Sequence, residues 1–298
     1  MAGWLAASPT RLCSADAPRS AIAARIVTRP VQSAPGAPAH DDAVAVEEPL
    51  EIRIAGDPVA ITMRTPGDDG ELALGFLYAE GIIDGADDVG GVAHCGRPGS
   101  EGYGNVIEVT PGAGTALVWD RVEASRRGTL TTAACGVCGR RSIDDLLGLC
   151  SPLPPGPPVG RADVVRAVGA MAEAQSLFAR TGGTHAAAAH TAGGERLFLR
   201  EDVGRHNAVD KVVGALLKER LVGRGASGPR QPAMLVVSGR ASFEIVQKAV
   251  RARIPVVASV SAPTSLAVDL AGKAGLTLVG FVRAERVNVY SSPARLHG

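Results

Sequence analysis

Aromatic side chains are scarce. Phe, Trp and Tyr make up 3% of the 298 residues, so Val, Leu, Ala and Ile must fill the core from a hydrophobic fraction of 46%. No sign of charge prevails. The formal net charge is +1, which leaves no global field to draw the chain to nucleic acid or to a membrane, and any anion site must be local. No uninterrupted apolar run reaches ~18 residues, so a transmembrane helix is not expected. The first twenty residues lack an apolar stretch and carry Pro9 and Pro18, which argues against a signal peptide. Five cysteines, Cys13, Cys95, Cys135, Cys138 and Cys150, are odd in number and irregular in spacing. They make a poor disulfide framework and point to a reducing, cytoplasmic compartment.

What is present divides the chain. A length of 298 residues allows two domains or one large one. Residues 1–45 are rich in Ala, Pro, Ser and Arg without periodicity and read as a disordered tail, with a strand near Ile22–Val27 as the one exception. Residues 46–125 read as a small α+β domain. Leu50–Met63 forms two strands around Gly56-Asp57-Pro58. In TPGDDGELALGFLYAEGII, Thr65 is a candidate cap and Leu72, Phe76 and Ala79 share a helical face. Strands follow at Asn105–Thr110 and Thr115–Val118. Residues 126–160 hold a cysteine loop, a short helix capped by Ser142 and the proline-rich linker SPLPPGPPVG.

Residues 161–298 carry the sharper signals. A helix spans Ala162–Arg180, and a hairpin turns at Gly193-Gly194. A helix follows from Arg205. Then MLVVSG, PVVASVS and LTLVGFV alternate with helices. Continuous apolar strands separated by helices imply parallel pairing in a covered sheet, a three-layer α/β arrangement. The element order resembles the cytidine-deaminase-like fold. Zinc deaminases place HxE and PCxxC at successive helix starts. Here those starts read RHNAVDK and GRASFEI, which keep His206 but neither the glutamate nor the cysteines, so deaminase chemistry is not expected.

Three groups of residues carry candidate chemistry. The first is Cys135-Gly136-Val137-Cys138-Gly139. Two intervening residues let both sulfurs meet in one turn, and Arg126, Arg127, Arg140 and Arg141 nearby favour the reactive thiolate. Persulfide or redox chemistry, half of a zinc site completed by His94 and Cys95, and an inert pair all remain open on spacing alone. The second is Gly183, His185, Glu201, Asp202, Arg205, His206, Asn207, Asp210 and Lys211, gathered where a hairpin meets a helix start. It reads either as a ligand site or as a salt-bridged cap. The third is a set of strand ends: Ser238-Gly239-Arg240, Ser261–Ser265, and Phe281-Val282-Arg283-Ala284-Glu285-Arg286. Ligands of open α/β sheets bind beyond such ends, and arginine forks match phosphates.

Taken together, TPGDDGELALGFLYAEGII, ACGVCG, TGGTHAAA, REDVGRHNAVDKVVG, SGRASFEIVQKA, VSAPTSLAVDLA and LTLVGFVR resemble the FdhD family of formate dehydrogenase accessory sulfurtransferases, from about Ile52 to Leu296. The resemblance implies that a cysteine desulfurase delivers persulfide sulfur to Cys135, with Cys138 as a relay or resolving thiol. It further implies transfer to the molybdenum of bis-molybdopterin guanine dinucleotide, carried as cargo for formate dehydrogenase and bound near Phe281–Arg286. A homodimer is implied, and no structural metal. Two other classes stay open: a molybdenum cofactor chaperone without sulfur transfer, and a zinc-dependent hydrolase on the deaminase scaffold.

Overall fold

The computed structural model describes residues 25–96, 103–117, 119–126, 151–226, 228–283 and 286–298. Its first element departs from expectation. Ile26–Val31 (β1) and His40–Ala45 (β2) pair antiparallel, from Ile26 opposite Ala45 to Val31 opposite His40. The disordered tail expected through residue 45 is therefore corrected for residues 26–45. Most of the hairpin's side chains are exposed, so no burial periodicity marks it. Its base is tied down: Val46 N donates to Arg25 O, and the Arg25 guanidinium pairs with Asp68.

Glu48–Ile54 (β3) and Asp57–Arg64 (β4) form the expected hairpin. Leu50, Ile52 and Ile54 alternate inward and are fully buried, as a period of two requires. Each contributes about 1.5–3 kcal/mol by burial. Val89–His94 (β5) and Val106–Pro111 (β6) complete a sheet of order β4-β3-β6-β5. Of the strand expected at Thr115–Val118, the described residues 115–117 are irregular, and the helix Trp119–Arg126 (α2) follows.

Asp69–Ala79 is α1, and it starts later than a Thr65 cap would set it. Asp68 takes the cap position with a left-handed φ of 58°. Thr65 is engaged elsewhere: its backbone N donates to Asp202, and its hydroxyl accepts Val203 N.

The C-terminal half is a covered sheet. Val159–Gly160 (β7) leads into Arg161–Glu173 (α3) and Ser176–Thr181 (α4). The single helix expected over 162–180 is thus two, because the distant Glu201 carboxylate accepts Leu177 N and Phe178 N at 2.9 and 2.8 Å and starts a new helix. His185–His190 (β8) and Arg196–Asp202 (β9) form the hairpin, followed by Arg205–Lys218 (α5). Met234–Val237 (β10), Phe243–Arg251 (α6), Val256–Ser259 (β11), Ser265–Ala274 (α7) and Thr277–Arg283 (β12) then alternate. Arg286–Ser291 (β13) turns back antiparallel on β12, and Leu296–His297 (β14) pairs with β7.

The order of the main sheet is β13-β12-β11-β10-β8-β9, with β10, β11 and β12 parallel. Its residues alternate between two cores. Ala186, Ala188, Met234, Val236 and Val256 pack with Val164 and Met171 of α3. Ala187, Leu235, Val257 and Leu278 pack with Val212 of α5, Ile245 of α6 and Leu270 of α7. Helices thus cover both faces, and the fold is the three-layer α/β arrangement expected of an interrupted series of apolar strands.

The second core runs on into Leu50, Ile52 and Leu72 of the N-terminal half. At the crossing of α1 and α5 the two backbones touch. A Cβ on Gly75 would collide with the Asp210 carbonyl oxygen, and one on Gly214 with that of Glu71.

Candidate functional site

The polar cluster at the start of α5 separates, once its partners are known, into struts and remainders. Glu201 is a strut; besides the two amides it accepts the Thr184 hydroxyl at 3.0 Å. Asp202 and Lys211 form an ion pair of 2.7 Å with both side chains at 0% exposure. The other Asp202 oxygen accepts Gly204 N and Asn207 Nδ2, and Asn207 also donates to Met63 O. Lys211 Nζ donates to Thr65 O at 2.8 Å. Asp210 pairs with Lys248 of α6 at 2.6 Å. These residues join α5 to β4, the α1 loop and α6, which is the capped, salt-bridged reading of the motif. Buried charges are retained only where paired in this way.

His185, Arg205 and His206 are left, and they gather at the carboxyl end of β10. His206 Nε2 lies 2.8 Å from Glu244 Oε2 and 3.1 Å from Ser242 Oγ. The two helix starts singled out by the deaminase comparison therefore do converge, through His206, Ser242 and Glu244. Beside them an added Cβ on Gly239 would sit 3.4 Å from His185 Nδ1 and 3.5 Å from Arg205 Cδ. Burial first, then the charges of Arg205 and His206, hold the His185 imidazole below its ordinary range, so it is neutral at neutral pH. Among the described residues, Arg205 Nε is buried without a hydrogen-bond partner.

The three strand ends expected to share an edge are joined by hydrogen bonds. Ser238 Oγ accepts Ala186 N at 2.9 Å. The Ser259 hydroxyl donates to Gly239 O at 2.7 Å, and Phe281 N donates to Ser261 O at 3.1 Å. Arg240 is exposed at the rim.

β12 runs on to Arg283, one residue past the end of the apolar run, with a register shift between Gly280 and Arg283, and β13 begins at Arg286. Val282 is buried in the core. Phe281 has a positive φ of 53° and remains 37% exposed. Such a backbone is costly for a bulky residue. Arg283 and Arg286 stand directly opposite each other in the ladder, both exposed. Cys135, Cys138, Ala284 and Glu285 lie outside the described residues.

A cavity of about 1120 Å³ opens elsewhere, between β5, the start of α1 and the end of α5. Several of its charges are already matched: Asp68 by Arg25, Asp69 by Arg64, and Arg220 by Asp87. His94, weighed above as a zinc ligand, faces Asp69 there at 3.5 Å.

The family model described as FdhD/NarQ matches residues 45–297. The chain belongs to the FdhD/NarQ family. Among the relatives, "Sulfur carrier protein FdhD" of Anaeromyxobacter dehalogenans is 58% identical over 96% of this chain and 98% of its own length. Proteins of that name from Nocardia farcinica and Mycobacterium tuberculosis are 48% and 44% identical over 86% and 93% of this chain, and 89% and 96% of their own lengths. The crystal structure of a candidate formate dehydrogenase accessory protein from Desulfotalea psychrophila superimposes with a TM-score of 0.68 at 26% identity, covering 91% of this chain and 98% of that one. FdhD/NarQ membership thus agrees with the family that the seven motifs resemble.

No helix among the described residues is long and apolar enough to cross a membrane. Sequence reasoning did not single out Glu244. Its signal was the polar pair Ser242 and Glu244 at the helix start, ahead of the apolar Ile245 and Val246.

Proposed function

We propose that the protein is a sulfur carrier. It accepts sulfur from a cysteine desulfurase as a persulfide on Cys135 and passes it to the molybdenum of a guanine-dinucleotide cofactor destined for formate dehydrogenase. The names of the relatives and of the structural neighbour support this reading. One observation carries the cofactor-binding half. At the end of β12 two arginines without an ion pair among the described residues, Arg283 and Arg286, face each other beside an exposed aromatic ring on strained backbone. Two cations suit a phosphate, and the Phe281 ring offers a flat face to a purine.

The sulfur half rests on chemistry. The Cys135 thiolate attacks the outer sulfur of the donor persulfide. The donor's S–S bond breaks, a new S–S bond forms on Cys135, and the donor leaves as a thiolate with no net oxidation. Cys138 then acts as the resolving thiol: its attack on Cys135 Sγ expels the outer sulfur as hydrosulfide and leaves a Cys135–Cys138 disulfide, which an external thiol reduces.

The test is intact mass after incubation with a cysteine desulfurase and cysteine. Wild type should gain one sulfur that reduction removes, and Cys135→Ser should gain none. Loading of Cys135→Ser at the wild-type rate would overturn the assignment. A Cys135→Ala variant that still supported formate dehydrogenase would leave a cofactor chaperone without sulfur transfer.

A further inference from the structure

The cavity beside β5 plays no part in the sulfur chemistry above. Every residue of β5, from Val89 to His94, borders it. Side chains of a strand point alternately to opposite faces of a sheet, so a hollow on one face would meet every second residue. A hollow that meets them all lies along the edge. β5 is the last strand of its sheet, and no further strand pairs with it among the described residues.

Open edges are normally blunted by charge, proline or a covering element. The opposite edge of this sheet follows that rule: β4 carries Pro58 and packs against α2. The sequence of β5, VGGVAH, has no proline, lysine, arginine or acid. Its register against β6 shifts between Val89 and Gly91, but runs evenly from Gly91 to His94. That leaves about 13 Å of regular edge whose outward backbone groups can pair. Leu74, Ile107 and Leu217 give the groove an apolar floor, and its volume of about 1120 Å³ exceeds the usual range of a small-molecule pocket.

The charges of the groove are unevenly matched. Asp68, Asp69 and Glu71 are already paired with Arg25, Arg64 and Arg200. Lys218, exposed at the end of α5, has no ion pair among the described residues. Arg220 pairs with Asp87, just before β5, so Lys218 belongs to the Val89 end of the groove. At the other end His94 Nδ1 is buried without a hydrogen-bond partner among the described residues.

We infer that this groove receives an extended peptide segment of a partner protein as a further strand on β5. The segment runs antiparallel to β5, the slightly more stable pairing, and its C-terminal end carries an acidic side chain to Lys218. Main-chain hydrogen bonds supply affinity, and alternate apolar side chains meet the floor. The inference is independent of the cofactor reading.

Fluorescence anisotropy of the full chain with labelled hexapeptides of alternating Val and Thr tests this, one version ending in Asp and one in Lys. Wild type should bind the Asp-ended peptide saturably and the Lys-ended one about five-fold more weakly. Lys218→Glu, a change on an exposed side chain, should reverse that order. N-methylation of the peptide leaves the protein untouched. Only one set of alternate amides faces β5, so methylating that set should abolish binding, and methylating the other should not. Bound peptide should slow amide hydrogen exchange within Gly91–His94. No saturable binding, the same response to both methylated sets, or an unchanged order in Lys218→Glu would overturn the inference. A wild-type dimer that the peptide dissociates would also overturn it, because a second copy would then hold the edge.

Discussion

Arg283 of β12 and Arg286 of β13 are direct partners across an antiparallel ladder. Like charges in that relation are destabilising, by roughly 0.2–1 kcal/mol. A stabilising role would have placed an acid on one side. Arg286→Ala should therefore leave the melting temperature unchanged or slightly higher, while GDP binding weakens about ten-fold or more. Calorimetry and thermal melts on the same samples check both. Lower stability together with unaltered GDP binding would make the arginine structural.

The pair formed by Asp202 and Lys211 should behave in the opposite way. Both side chains are fully buried, and both hold the Thr65 backbone. Lys211→Met strands a carboxylate and should cost about 3–5 kcal/mol in urea unfolding. A loss below ~1 kcal/mol would mean that water reaches the site.

His190 makes stability depend on pH. It is 1% exposed, and neither ring nitrogen has a hydrogen-bond partner among the described residues. Burial first, and Arg196 second, lower its pKa to about 4, against ~6.5 in an unfolded chain. The folded state thus resists a proton that the unfolded state accepts. Stability from this residue is complete above ~6.5 and is lost as pH falls toward 4, by on the order of 3 kcal/mol. His190→Leu should flatten that part of the stability curve relative to wild type. Parallel curves for the two proteins between pH 6.5 and 4 would show that the ring gains a partner on protonation.

Removal of the first 24 residues should leave the melting temperature unchanged, because Arg25 is retained. Removal of the first 41 deletes Arg25 and β1, along with the contact to Asp68 and the pairing of β2. The ion pair is partly exposed, so about 1 kcal/mol is at stake there, with the lost strand pairing in addition. Equal melting temperatures for the two truncations would show that the hairpin is not docked.

The main sheet was legible in the sequence where burial writes itself into composition. MLVV and VVAS are buried on both faces and read as continuous apolar strands, and Gly193-Gly194 marks its turn. The misses have identifiable causes. In Val89–His94, Gly90 and Gly91 interrupt the alternation that would announce a strand. Ala162–Arg180 keeps a helical period, yet Glu201, over twenty residues away, supplies the cap that breaks it. Arg286–Ser291 is an edge strand with little buried surface, so no apolar pattern announces it after the strand end at Phe281–Arg286. Within the candidate site, the motif around RHNAVDK announced a polar cluster correctly. Only tertiary partners could divide it into struts such as Asp202 and remainders such as Arg205.

The crossing of α1 and α5 has a mechanical consequence. Gly75 and Gly214 bring backbone against backbone at two points, and a joint that close has no slack for a hinge. The two halves cannot part and close on a ligand like jaws. Any ligand of the sheet edge must then be recognised by a preformed outline rather than by closure of the two halves around it.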